Sequence, residues 1–274
     1  MKKNIKINFL KKISQKIRLD VISMLKSAGS GHPGGSLSST DILVSLYFSN
    51  LLNISKNNYK SKKRDVVILS AGHYCPALYA ILAHKGLFNK KLLMTLRQFK
   101  SPLLGHPKFL ELPGIENSGG SLGQGISLAC GYAISAKRFT KKKRKPNVYC
   151  IMGDGEQNEG QVWEAAMFAA HNGLSNLCVI VDINKIQIDG YTKDILDLEP
   201  LEKKYKSFNW RVSRINGHSH KQLVNSFKNF KKYTGNKPTV ILADTLAGKG
   251  LKSIEGMVEA HGKPIEDKHI KELN

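Results

Sequence analysis

The chain has 274 residues and a mass of 30.4 kDa, enough for one large α/β domain, or two small ones, with a core that needs no covalent staples. With 41% hydrophobic and 23% charged residues it fits neither a disordered chain nor a membrane protein, and Cys75, Cys130, Cys150 and Cys178 are too widely spaced to make the close couplets of a zinc site. The 43 basic against 21 acidic residues give a net charge of +22 and raise nucleic acid or anionic small substrates as partners; only seven of the basic residues are arginines and the lysines are scattered, which argues against nucleic acid.

Residues 1–12 carry five lysines but no apolar stretch long enough for a secretory signal, so the cytoplasm is the expected compartment. The longest apolar runs, such as 177–181, are strand-sized, and no membrane span is expected. Apolar residues at Leu10, Ile13, Ile17, Val21, Met24 and Leu25 recur at a helical period that stops at Gly29. The segment 29–35, Gly-Ser-Gly-His-Pro-Gly-Gly, predicts a loop displaying His32 before a helix over 41–52. Val66 to Leu69 reads as a short strand, broken at Ala71-Gly72-His73 and followed by a helix over 77–84. A third glycine-flanked histidine, His106, lies in Gly105-His106-Pro107, in a loop-rich region that runs to Gly120.

The run Gly119-Gly120-Ser121-Leu122-Gly123-Gln124-Gly125 opens a helix through about Phe139, and its small residues permit close backbone approach. The basic run 141–145 reads as a solvated loop. A strand over 148–152, the turn Gly153-Asp154-Gly155, a helix over about 161–172 and a strand over 177–181 ending in Asp182-Ile183-Asn184 form a βαβ unit. Strand 211–215, helix 219–232 and strand 239–243 extend the alternation, so the expected fold class is α/β, a mostly parallel sheet with helices on both faces. No internal repeat or linker divides residues 1–274, which read as one domain.

In such a sheet, ligands collect beyond the carboxyl ends of the strands, where Asp154 and Asn184 fall, thirty residues apart. A hard cation such as Mg²⁺ takes one or two protein oxygens while phosphates and water complete the octahedron. Gly153 and Gly155 allow backbone N–H groups to approach a phosphate. Alone, Gly-Asp-Gly after a strand is more often an ordinary turn than a ligand site; Asn184 at the next strand end strengthens the cation reading. The three histidines could each offer a donor and an acceptor to a sugar hydroxyl, whereas His84, His171, His218, His220 and His269 lack glycine settings and read as structural or surface residues, and Trp163 and Glu164 as helix packing.

The stretch 153–165, Gly-Asp-Gly-Glu-Gln-Asn-Glu-Gly-Gln-Val-Trp-Glu-Ala, together with Asn184, Ser30-Gly31-His32-Pro33-Gly34, Ser70-Ala71-Gly72-His73, Gly105-His106-Pro107 and Gly120 to Gly125, resembles transketolases across residues 10–262. The resemblance implies the thiamine-diphosphate-binding fold and thiamine diphosphate with Mg²⁺ as cofactors. It implies that Asp154, Asn184 and the Ile186 carbonyl hold the metal. It further implies that Gly153 and Gly155 face the diphosphate, that Gly120, Leu122 and Gly123 approach the cofactor, and that His32, His73 and His106 line the cofactor and sugar channel. Glu159 matches a glutamate at the subunit contact. His261 matches a histidine-bearing loop only loosely, and Ser121 stands where full-length members commonly have proline. The sequence ends at Asn274 after the diphosphate-binding domain, so the resemblance implies that the pyrimidine-binding and C-terminal domains belong to a partner chain, with two copies of each chain and sugar phosphates as substrates. The α subunit of a 2-oxoacid dehydrogenase, which shares the metal motif without the Gly-His-Pro loops, is the alternative.

Overall fold

The computed structural model describes residues 6–139 and 146–271; the basic run 141–145 lies outside the described residues. Five parallel strands form the main sheet and lie side by side in this order: β1 (Val66–Leu69), β2 (Val148–Gly153), β3 (Leu177–Ile183), β7 (Thr239–Asp244) and β6 (Arg211–Asn216). Every residue of β1, β2 and β3 is buried. That is why these strands read as continuous apolar runs: the side-chain period of two sends alternate residues to opposite faces, and both are covered. Val67, Leu69, Tyr149, Ile151, Ile180 and Ile241 pack into one core, while Ile68, Cys150, Met152, Val179, Val181 and Leu242 pack into the other.

The first core is roofed by α1 (Ile7–Ala28), α3 (Thr40–Phe48), α4 (Cys75–His84) and α9 (His220–Lys232). The stripe predicted in α1 is real, with Leu10, Ile17, Val21, Met24 and Leu25 all buried; each such side chain contributes about 1.5–3 kcal/mol by leaving water. The second core lies under α5 (Gln124–Phe139), α6 (Gly160–His171) and α8 (Leu201–Ser207).

Two expectations need correction. Residues 29–35 are not loop throughout, because α2 (Pro33–Ser38) begins immediately after His32; the fixed φ of Pro33 suits a first helical position, and all six residues are buried. The next helix ends at Phe48 rather than at 52. Beyond β3 the chain makes a two-strand hairpin, β4 (Ile186–Gln187) with β5 (Gly190–Tyr191), then the short α7 (Thr192–Ile195). These elements are too brief to carry a periodic signal. The chain closes with a 3-10 turn at Val258–Ala260 and α10 (Asp267–Lys271). Among the described residues no helix is long and apolar enough to cross a membrane.

Candidate active site

Parallel pairing brings the carboxyl ends of β2 and β3 together, with Gly153 opposite Asp182, and the chain carries Asp154 and Asn184 just past them. Asp154 is 2% exposed, with its oxygens accepting from the Gly155 N–H at 2.9 Å and the Lys185 N–H at 2.6 Å. Among the described residues no basic side chain pairs with it. Burial, reinforced by neighbouring Asp182, pushes its carboxyl up to about 7, so the site favours a bound cation whenever Asp154 is ionised. Asn184 Oδ1 accepts from the Ile186 N–H at 3.1 Å, while its Nδ2 donates to Asp182 at 3.0 Å and to the Tyr74 hydroxyl at 3.2 Å. Asp182 accepts from Ser38 and Thr245, both at 2.6 Å. The amide is therefore locked with its oxygen turned to the same side as the hairpin backbone.

Glu156 is the second buried acid of this turn. Its carboxylate accepts from the Ser70 hydroxyl, from the Gly123 N–H at 2.7 Å and from the Gly153 N–H at 3.2 Å. Burial pushes it up to about 7 against those three bonds. One side chain thus joins the segment after β1, the glycine-rich loop and the end of β2. Gly155 is required here, since a Cβ would sit 2.6 Å from the Gln187 Oε1 of the hairpin.

Facing this floor are four imidazoles from four separate segments. His32 precedes α2, His73 lies in a 3-10 turn after β1, His106 in the loop before α5, and His261 just after the turn at 258–260. His32 is the hub, with ring centroids 5.3 Å from His73, 6.0 Å from His106 and 5.7 Å from His261. Burial, then the charge of His261, Arg97 and His106, lowers His32 to about 4, and burial holds His73 well below its usual value. His106 and His261 are lowered as well, again chiefly by burial. All four rings are therefore neutral near pH 7, each with one donor and one acceptor. The buried Nδ1 of His32 has no hydrogen-bond partner among the described residues.

A cavity of about 450 Å³ runs between the imidazoles and the floor. It is lined by His32, His73, His106, Gly120, Leu122, Gly153, Asp154, Gly155, Glu159, Ile186 and His261, so the loosely matched His261 stands with the rest. Gly123 and Asn184 do not line it; they lie behind, against Glu156 and Asp182. Sequence reasoning missed Tyr74, Glu156, Gln187, Ile188 and Asp189, all of which line the same cavity. The last three follow Asn184 closely, and that proximity was the available signal. Among the described residues no three His, Cys, Asp or Glu side chains cluster as a metal site.

The other histidines are structural or superficial. His218 bonds Asp41 at 2.8 Å, His220 bonds Ser45 at 2.7 Å, His84 bonds Asp20 at 2.6 Å, His269 is buried and accepts from the Glu266 N–H, and His171 is exposed. Trp163 packs on Tyr205 and Phe208, but Glu164 is exposed on α6 and does not serve packing.

The family model for transketolase, thiamine diphosphate binding domain, matches residues 10–274. The chain is 43% identical to the 6-deoxy-6-sulfo-D-fructose transketolase subunit SqwG of Clostridium sp., over 93% of this chain and 90% of that one. It is 37% identical to an apulose-4-phosphate transketolase subunit of Phocaeicola vulgatus, over 93% and 89%. The crystal structure of Campylobacter jejuni transketolase superposes with a TM-score of 0.91 at 31% identity, covering 97% of this chain and 42% of that one. The sheet and its covering helices are thus those of the thiamine-diphosphate-binding fold. Within it, the chain belongs to the transketolase family through its thiamine diphosphate binding domain. It spans nearly the whole of the relatives named as subunits but only about two fifths of the undivided transketolases.

Proposed function

We propose that this chain is the N-terminal subunit of a two-chain, cytoplasmic transketolase, which moves a two-carbon ketol unit from an anionic ketose to an aldose phosphate. The observation that carries the reading is the convergence of four neutral imidazoles on a cavity floored by Asp154, in a chain whose full-span relatives are named as transketolase subunits. The names of those two relatives contain a sulfonated and a phosphorylated sugar, which supports an anionic sugar as substrate. Neither the family match nor these relatives favour a 2-oxoacid dehydrogenase, and no observation supports nucleic acid as a partner.

The residues present fit Mg²⁺ and thiamine diphosphate. Asp154 is a buried carboxylate without a basic partner among the described residues, and Gly153 and Gly155 on either side of it line the cavity. Asp154, Asn184 and the Ile186 carbonyl would hold the metal, a charged and two neutral oxygens suited to a hard cation. Gly153 and Gly155 would face the diphosphate, with Gly120, Leu122, Gly123, His73 and His261 along the rest of the cofactor and Glu159 toward the subunit contact. When bound, thiamine diphosphate supplies the electron sink for breaking and making the carbon–carbon bond. His32, His73 and His106 orient the sugar hydroxyls and carry protons between them, which neutral rings do without repelling one another. A partner chain would contribute the pyrimidine pocket and its glutamate, in an assembly with two copies of each chain.

Mixing the purified chain with its partner, thiamine diphosphate and Mg²⁺ is expected to give ketol transfer, whereas full activity of this chain alone would overturn the two-chain reading. Because even indirect supports of a metal site are worth about 10–100-fold in affinity, Asp154→Ala is expected to weaken Mg²⁺-dependent cofactor binding by at least about 100-fold, measured by calorimetry on the complex.

A further inference from the structure

Gln187 ends β4 and lines the cavity beside Asp154, Gly155 and Asn158. The backbone that carries it is pinned on both sides. The Lys185 N–H donates to Asp154 at 2.6 Å, the Ile186 N–H to Asn184 Oδ1 at 3.1 Å, and the Thr192 N–H back to the Lys185 carbonyl at 3.0 Å. The side chain lies against the floor, since a Cβ on Gly155 would come within 2.6 Å of Gln187 Oε1 and 2.9 Å of its Cβ. Asn158 donates from Nδ2 to that same Oε1 at 3.3 Å. The oxygen end of the amide is thus engaged, while its Nε2 end donates to no acceptor among the described residues.

The turn next to it holds most of its own donors in internal bonds. The Gly153 N–H donates to Glu156 at 3.2 Å, the Asp154 N–H to the Asp182 carbonyl at 3.1 Å, the Gly155 N–H to Asp154 Oδ1 at 2.9 Å, and the Gln157 N–H to the Asp154 carbonyl at 2.8 Å. An anion seated against Gly155 meets these four groups already bonded, and an oxyanion drawn out of water needs a donor in their place. An amide NH₂ at the edge of the same floor supplies one. Its neutrality also suits the position. A lysine or arginine here would pair with Asp154 and take the place of a cation, whereas a glutamine donates without claiming that carboxylate. The geometry points to Gln187 as a binding residue for the cofactor diphosphate, its Nε2 donating to a phosphate oxygen while Asn158 holds the amide by its oxygen. The inference rests on the cofactor reading above and adds to it a residue from the hairpin, outside the Gly-Asp-Gly turn, that sets how strongly the diphosphate is preferred.

The test is calorimetric titration of the assembled complex, in the presence of Mg²⁺, with thiamine diphosphate and with thiamine itself, which lacks the phosphates. Wild type is compared with Gln187→Met, which keeps the length of the side chain and removes its donor, and with Gln187→Glu, which keeps the shape and replaces the donor by a charge. A hydrogen bond to a charged group is worth a factor of roughly 10–100 in affinity. Gln187→Met is therefore expected to weaken thiamine diphosphate by about tenfold or more while thiamine binds as in wild type, and Gln187→Glu to weaken the diphosphate further by repulsion. Undiminished affinity of Gln187→Met for thiamine diphosphate would overturn the proposal. So would equal loss on both ligands, which would mean that the substitution deforms the crevice rather than removing a phosphate contact. Ketol transfer by the wild-type complex is followed separately. Cofactor binding without transfer would reject the transketolase reading and leave the comparison of variants to decide on Gln187, whereas a wild type that binds thiamine diphosphate no better than thiamine would reject both.

Discussion

His32 shows how far a single side chain is fixed by its neighbours. Between pH 6.5 and about 4 its depressed imidazole binds fewer protons in the folded than in the unfolded chain, so acidification costs stability over that window. The raised carboxyl of Asp154 works the other way from 3.8 to about 7, binding more protons when folded, and partly masks the effect in a simple pH scan. The difference between variants isolates the histidine. His32→Gln should lose less stability than wild type between pH 7 and pH 5, read as a smaller fall in the urea midpoint. At this scale the sequence was informative where an unusual residue sat in an unusual frame. The glycine-flanked His32, His73 and His106, and Asp154 with Asn184 at strand ends, were legible because glycine and a strand terminus both mark places where backbone and ligand meet. Glu156 was not, since a carboxylate in a polar turn looks solvated until three donors from distant segments are found around it.

The elements that carry the site are mostly ones with a clear period. Strands β1, β2 and β3 and helices α1, α4, α5 and α6 were legible because each buries a whole face or stripe. The helix at Pro33–Ser38 and the hairpin at 186–191 were not, because six residues or fewer supply no repeat and their form is set by what they pack on. The joint between elements is testable at Glu156. Glu156→Ala would leave the Gly123 and Gly153 N–H groups without their acceptor in a dry setting, at a cost of about 1–3 kcal/mol each. The expected outcome is a lower unfolding midpoint, together with faster hydrogen exchange at the Gly123 amide in native buffer.

For the whole molecule, the cavity opens beside a concentration of exposed apolar side chains on β4, β5, α7 and their junctions. Ile188 is 71% exposed and Leu196 59%, with Tyr191 and Ile195 also uncovered. Apolar groups gathered at the rim of a site are the expected edge of a contact with another chain. Leu196 stands outside the cavity lining, so on the two-chain proposal Leu196→Asp should weaken association with the partner chain by about tenfold or more, as measured by sedimentation. The overall charge, by contrast, announced little, because lysines spread along the chain mark no single site.

The Glu156 carboxylate has one further consequence. Like the wedge at the crown of an arch, it bears on three spans that the chain visits far apart, so none of them can yield alone. A disturbance entering through the glycine-rich loop is passed directly to the ends of two adjacent strands, and any loosening of the crevice must therefore be shared among all three.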